Sequence, residues 1–328
     1  MRGLVMKNMR SSGLSRAIRG VVSDNVLKLA LGAVLAMTVG LVSCTSKKAE
    51  LGTSRNPVKL FFVPSVDAKS LEDNSKKFKT YLEANTPYKF EVAVPQSYIA
   101  LVEAIGSKRA DVAAINSFGY ILAHEKYQAE AKLTVLRHGS ATYQSQFIAK
   151  ADSGINSIAD LKGKKIAFVD PASASGYLLP LKTLKDKGIE PKETVFAGKH
   201  DNVVSMIYQG QVDAGATFYS PPNEGKMEDA RRLVLTQYPD VEKKVKIIEL
   251  SESIPNDPII FRKEMPEEMK AKIVDALLAF IATPEGKDAF KAMYSIDEMK
   301  KSTDADYEPV RALLKTIGQK PEELMQKK

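Results

Sequence analysis

The sequence predicts an α/β protein of two lobes, each a mainly parallel sheet flanked by helices. Short apolar runs alternate with amphipathic stretches along the chain, the rhythm of β-α-β units. The rhythm occurs twice, before and after an alternating segment at Tyr143–Ala149 (YQSQFIA). A late apolar run, Ile259–Phe261, then returns the chain toward the first set before a helical tail.

Val58–Val63 (VKLFFV) ends at Pro64-Ser65 and reads as a buried strand of parallel type. Residues 68–84 place Leu71, Phe78 and Leu82 on one helical face. Phe90–Val94 is the next strand, and Ser97–Gly106 a helix with Ser97 as N-cap. Asp111–Asn116 completes a β-α-β-α-β series, which implies right-handed crossovers. In the second set, Lys164–Asp170 is a strand, Pro171–Gly176 a loop, and Tyr177–Lys187 a helix stopped by Gly188. Thr194–Ala197, Val212–Phe218 and Lys246–Leu250 are strands, and His200–Gln209 is a helix stopped by Gly210. The tail is helical over Pro266–Ile281, Pro284–Tyr294 and Tyr307–Ile317. The expected division is 58–141 plus 252–328 for lobe 1 and 142–251 for lobe 2. The cleft between them opens at the carboxyl ends of the strands, where ligands of open α/β sheets bind.

The N-terminal stretch reads differently. Residues 1–28 carry six Lys/Arg and one acid, followed by the uncharged apolar run Leu29–Val42 and then Ser43-Cys44. That order is a signal peptide, 1–43, and a run of 14 residues is shorter than the about 20 needed to span a bilayer. Leu41-Val42-Ser43-Cys44 resembles the bacterial lipobox, which implies lipidation of Cys44; a free buried cysteine or an uncleaved anchor is the alternative. Residues 44–57 read as a flexible tether. Of the net charge of +8, the signal segment holds +5, leaving +3 over 285 residues, too mild for a nucleic-acid partner.

One cysteine excludes an internal disulfide and a thiolate zinc site. Three histidines, His124, His138 and His200, lack metal-ligand spacing. No G-x-S-x-G, H-E-x-x-H, Walker or dinucleotide-binding glycine motif is present. Neither catalysis nor a cofactor is expected.

Asp170-Pro171-Ala172-Ser173-Ala174-Ser175-Gly176 follows a strand and opens a helix. Free amides at a helix start bind anions, Ser173 and Ser175 add hydroxyls, and Gly176 permits close backbone approach. Simple capping by either serine is the alternative. His200, after Gly198-Lys199, can donate to an oxyanion, more strongly when protonated, or plays a structural part, as a lone histidine more often does. Tyr98 and Tyr143 sit at lobe edges with phenol donors, or pack half-buried. Asp257, in Ile254-Pro255-Asn256-Asp257-Pro258, either accepts from a ligand or caps a turn.

These stretches, with VPSVDA, PQSYIALVEAI, TYQSQFIAKADSGI, FAGKHDNVV, QVDAG and IPNDPIIF, resemble the periplasmic phosphonate/phosphite-binding proteins of ABC transporters, the PhnD-type family, from about Val58 to Gly318. The family's mark is an S-x-S-G turn after a strand, with a histidine about 25 residues later, here Ser173–Gly176 and His200. The resemblance implies a type II periplasmic-binding-protein clamshell. It implies phosphonate oxygens held by Ser173, the Ala174 amide, Ser175, Tyr143 and His200, with Tyr98 facing them from lobe 1 and Asp257 near the ligand's other end. It further implies an ABC permease with its ATPase as partner, and a place in the periplasm or on the outer cell surface, anchored to the membrane by lipid at Cys44. A monomer is expected. Members that bind an aminoalkylphosphonate carry an extra acid after the V-D-A strand. Here Ala216–Pro222 has none, which argues for phosphite, methylphosphonate or phosphate beside an aromatic wall of Phe218 and Tyr219. A sensor partnered with a membrane kinase, or a binder of sulfonate, sulfate or a carboxylate, are the other readings.

Overall fold

The computed structural model describes residues 49–317, and the expected signal segment and Cys44 lie outside them. The chain first lays down β1 (Val58–Phe62), β2 (Phe90–Ala93), β3 (Val112–Ala114) and β4 (Glu130–Leu136). It then crosses at residues 137–141 and builds β5 (Thr142–Lys150), β6 (Lys165–Phe168), β7 (Glu193–Phe196), β8 (Ala214–Tyr219) and β9 (Val245–Pro255). It crosses back at 256–257 and finishes with β10 (Pro258–Phe261) and β11 (Glu298–Lys301).

The first sheet has the order β11-β4-β10-β3-β1-β2 and the second β7-β6-β8-β5-β9. In the first, β1 runs parallel to β2 and β3, while β10 lies antiparallel between β3 and β4. In the second, β6, β7 and β8 are parallel, and β5 lies antiparallel between β8 and β9. β11 also lies antiparallel, against β4 at the sheet edge. The other two reversed strands, β5 and β10, are those that follow the crossings: a strand entering a sheet from the other one, without a helical crossover, arrives reversed.

The helices are α1 (Ala68–Asn85), α2 (Tyr98–Gly106), α3 (Ser117–Tyr127), α4 (Leu179–Asp186), α5 (His200–Tyr208), α6 (Val241–Lys244), α7 (Glu267–Ala282), α8 (Pro284–Tyr294) and α9 (Glu308–Ile317). The Asp67 carboxylate caps α1 by accepting from the Ser70 amide at 2.9 Å. Leu71, Phe78 and Leu82 are buried as their spacing predicts. Phe78 meets Phe62 and Phe290 edge-on, with centroids 5.3 and 4.3 Å apart. Each ring so buried contributes about 1.5–3 kcal/mol. Ser97 caps α2, as expected, accepting from the Ala100 amide at 3.1 Å.

Four labelled elements go beyond the sequence reading: α3, β4, the short α6 and β11. Ser117–Ala123 of α3 is buried all round, so it shows no amphipathic period. β4 does carry a period-two signal, with Ala131, Leu133 and Val135 buried, but its intervening Lys132 and Glu130 disguise it as polar. β9 extends to Pro255, further than the Lys246–Leu250 expected, because Thr142–Gln144 of β5 pair with its polar end.

Candidate functional site

Five strands aim their carboxyl ends at one buried cavity. Val63, Ser65 and Val66 follow β1, Tyr98 opens α2 after β2, and Asn116 follows β3; Ser173 and Ser175 follow β6, and His200 opens α5 after β7. Arg137, Tyr143, Phe218, Arg232, Asp257, Met293 and Tyr294 complete the lining. The cavity measures about 40 Å³. A single water takes roughly 10–15 Å³ on this measure, so the space suits one small molecule of a few heavy atoms.

Six of the seven residues singled out from sequence line this cavity: Tyr98, Tyr143, Ser173, Ser175, His200 and Asp257. Ala174 is buried and its side chain is not part of the lining. Phe218 of the expected aromatic wall is present and meets the His200 ring edge-on at 5.0 Å, whereas Tyr219 is not among the lining residues.

The serine turn is helical earlier than expected. A wide turn over Ala174–Leu178 runs straight into α4, so Pro171–Ser173 alone is loop. The Asp170 carboxylate accepts from the Ala172 amide at 2.8 Å, and the Ser173 hydroxyl oxygen accepts from the Gly176 amide at 3.1 Å. Ser173 therefore caps the helix while its own proton remains available to donate. The amides of Ala174 and Ser175 lie between these two capped ones, at the positive end of the helix. Ser145 of β5 anchors the turn from behind, donating to the Ser175 carbonyl at 2.6 Å. Gly176 is required by space: a Cβ there would stand 2.4 Å from Val169 Cγ2.

The electrostatics are set by burial. Desolvation, then the field of Asp170 and Asp257, pushes the Tyr98 phenol far above its usual range, and burial chiefly raises Tyr143 as well. Both are neutral donors. Burial, reinforced by the Arg137 guanidinium, lowers the His200 imidazole to about 3. The histidine is therefore neutral in the cavity, not the cation that its sequence position allowed. The Tyr98 hydroxyl, His200 Nδ1, Asn116 Oδ1, Arg232 Nε and Asp257 Oδ1 are all buried without a hydrogen-bond partner.

The sequence reading missed Arg137, Arg232, Asn116 and Tyr294. Arg137 follows β4, and its guanidinium donates to Asn256 Oδ1 at 2.7 Å, to Asp257 Oδ2 at 2.9 Å and to the Tyr294 carbonyl at 2.9 Å. Asn256 in turn bonds the Ser140 and Ala141 carbonyls, so the two crossing segments are stapled to one another. Recognising β4 by its alternation would have placed Arg137 at a strand end. Arg232 sits in a short 3-10 turn, Ala230–Val234, with no local signal for a site. Around the cavity, elements of the two sheets touch. The Asn116 amide donates to the Ala172 carbonyl at 2.8 Å, the His200 backbone amide donates to the Ser65 carbonyl at 3.2 Å, and Arg232 donates to the Ser295 hydroxyl.

Comparison with known proteins agrees with this architecture. A "Phosphate-import protein PhnD" of Mycolicibacterium smegmatis is 31% identical over 178 residues, 49% of this chain and 54% of that protein. The phosphonates-binding periplasmic protein of Escherichia coli is 29% identical over 225 residues, 66% of this chain and 63% of that protein. The aligned stretches thus span little more than half the length of these relatives. Among solved structures, PhnD1 of Prochlorococcus marinus, in complex with methylphosphonate, superposes with a TM-score of 0.69 at 17% identity, over 80% of this chain and 98% of that one. The binding component of a Pseudomonas aeruginosa ABC phosphonate transporter gives 0.70 at 21%, over 80% and 86%. These likenesses show the two-lobed fold of periplasmic binding proteins. The family model described as "ABC transporter, phosphonate, periplasmic substrate-binding protein" matches residues 60–307, and the chain belongs to that family.

Proposed function

We propose that this chain is the substrate-binding component of an ABC importer. It captures a small phosphorus oxyanion, such as phosphite, methylphosphonate or phosphate, and hands it to a membrane permease driven by its ATPase. One observation carries the reading: a cavity of about 40 Å³ gathers hydroxyl, phenol, imidazole and guanidinium groups, several of them buried without partners. Each such group costs about 1–3 kcal/mol when left unpaired. An oxyanion supplies acceptors to Ser173, Ser175, Tyr98, Tyr143 and His200 at once. Asp257 Oδ1 can only accept, so it favours an oxyanion that keeps a P–O–H proton over sulfate, which holds none at neutral pH. The relatives' names, phosphate import and phosphonate binding, point the same way.

The mechanism follows from where these groups sit. Ser173, Ser175, Tyr143 and His200 belong to the second sheet's elements, Tyr98 and Asn116 to the first. An open form exposes the serine turn to solvent. Rotation about the crossing segments 137–141 and 256–257 then brings Tyr98 over the bound anion and forms the Asn116–Ala172 and Ser65–His200 contacts. Fixed donors replace the anion's water, and no bond is made or broken on this chain. Lipid at Cys44 holds the binding domain at the periplasmic or outer face of the membrane, within reach of its permease.

A thermal-shift screen of residues 49–328 tests the reading. Phosphite, methylphosphonate or phosphate at 100 times its Kd raises stability by about 2.7 kcal/mol, read as a higher melting temperature. Sulfate produces a smaller shift. A folded sample that responds to none of the phosphorus oxyanions contradicts the proposal.

A further inference from the structure

The cavity holds two guanidinium groups and one carboxylate, and the three are not equivalent. Arg137 is committed: Asn256, Asp257 and the Tyr294 carbonyl take its donors. Asp257 neutralises Arg137 through Oδ2 at 2.9 Å, and its Oδ1 stays without a partner. Arg232 is not committed. It donates to Ser295, lies 3.9 Å from a Glu228 oxygen, and keeps Nε buried with no partner. Burial, the largest influence on it, lowers its pKa, and the nearby Glu228 carboxylate opposes that effect. With His200 neutral, the side chains that line the cavity carry two positive charges and one negative, and Glu228 stands behind Arg232, outside the lining.

We infer that Arg232 is a specificity-determining residue: its guanidinium pairs with the bound oxyanion and turns the cavity against ligands whose substituent carries a positive charge. This rests on the functional reading above. A ligand ammonium needs a desolvated acid of its own. Among the described residues, the one carboxylate on the cavity wall has its charge balanced by Arg137, although its Oδ1 still accepts a hydrogen bond, and the segment Ala216–Pro222 supplies no acid. An ammonium in this small space would instead face Arg137 and Arg232. Like charges placed together in a desolvated site are strong discriminators. The ligand class is therefore a phosphorus oxyanion bearing hydrogen, hydroxyl or a neutral alkyl group, and not an aminoalkylphosphonate.

The test compares ethylphosphonate with aminomethylphosphonate, which match in size and differ in carrying a methyl or an ammonium group. Affinities are measured by calorimetry on the wild-type chain, on Arg232→Gln, and on Arg232→Gln/Glu228→Gln, which leaves no lone acid behind. The wild type prefers ethylphosphonate by about 100-fold or more. Loss of a charged hydrogen bond lowers ethylphosphonate affinity by about 10- to 100-fold in both variants. The preference over aminomethylphosphonate narrows to less than about tenfold, because one of the two repelling cations is gone. Should one variant fail to fold, the other decides. Equal wild-type affinities for the two ligands overturn the inference, as does a folded variant with unchanged affinity and selectivity. Wild-type protein that binds methylphosphonate and phosphite but shows either of these results leaves the functional reading standing. Wild-type protein that binds no phosphorus oxyanion overturns both.

Discussion

Arg137 on one crossing segment and Asp257 on the other are joined by a 2.9 Å ion pair at the wall of the cavity. The same guanidinium holds Asn256, whose side chain reaches back to Ser140. The pair thus ties the two segments about which the lobes turn and presents Asp257 Oδ1 to the ligand space. Removing Arg137 leaves a largely buried carboxylate and an asparagine oxygen without their donor. Arg137→Met is expected to destabilise the protein by about 2–3 kcal/mol, below the roughly 3–5 kcal/mol of fully buried pairs because Asp257 keeps some solvent contact. Arg137→Met/Asp257→Asn recovers most of the loss. Urea denaturation of the wild type, Arg137→Met, Asp257→Asn and the double variant measures the coupling; additive losses refute it.

The serine turn separates charge from packing. Ser175→Asp places a carboxylate where the anion sits and is expected to abolish binding while leaving the melting temperature within a few degrees. Gly176→Ala drives a methyl against Val169, and overpacking of this kind costs about 1–3 kcal/mol, so it lowers stability and affinity together. Calorimetry and thermal denaturation of both variants check the contrast. Retained affinity in Ser175→Asp removes the turn from the site.

Tyr98 offers a sharper separation. Its hydroxyl is buried and unpartnered, so Tyr98→Phe removes an unsatisfied group and leaves stability unchanged or higher by up to about 1 kcal/mol. A phenol donating to an anion is worth about 1.5–3 kcal/mol, so affinity falls roughly 10- to 100-fold. A residue that served packing alone would leave the affinity unchanged.

His200 sets a pH dependence of stability. The unfolded imidazole takes a proton below its ordinary 6.5, and the folded one only below about 3. Between those values the unfolded chain binds the extra proton, so stability falls as pH drops, by up to about 1.4 kcal/mol per unit, and is undiminished above 6.5. Asp170 and Asp201, whose pKa values burial raises, act in the opposite sense at lower pH but do so equally in a variant. The stability of His200→Gln is therefore expected to decline less steeply between pH 6.5 and 4. Parallel curves, or an NMR titration of His200 near 6.5, contradict this.

The sequence was most legible where one local pattern decides the outcome. The strand-loop-helix at Asp170–Gly176 names a helix start, and Ser173, Ser175 and His200 meet in the cavity because each opens a helix after a parallel strand. Tyr98 follows the same rule after β2. Arg232 obeys none of this: it enters from a short irregular turn, and its place depends on α8 presenting Ser295. Asn116 was read as the last residue of a strand, and nothing local foretold that its amide would reach the Ala172 carbonyl 56 positions away. The charge state of His200 was equally hidden, since it follows from burial and from Arg137, a residue 63 positions away that the sequence reading had not placed.

The most direct measurement is a crystal structure of residues 49–328 grown with methylphosphonate. The phosphonate oxygens are expected between Ser173, Ser175, Tyr98, Tyr143 and His200, with Arg232 Nε donating to one of them and the methyl group clear of Asp257. Methylphosphonate bound elsewhere on the protein, or a closed cavity that excludes it at saturating concentration, would contradict the assignment of this cavity as the oxyanion site.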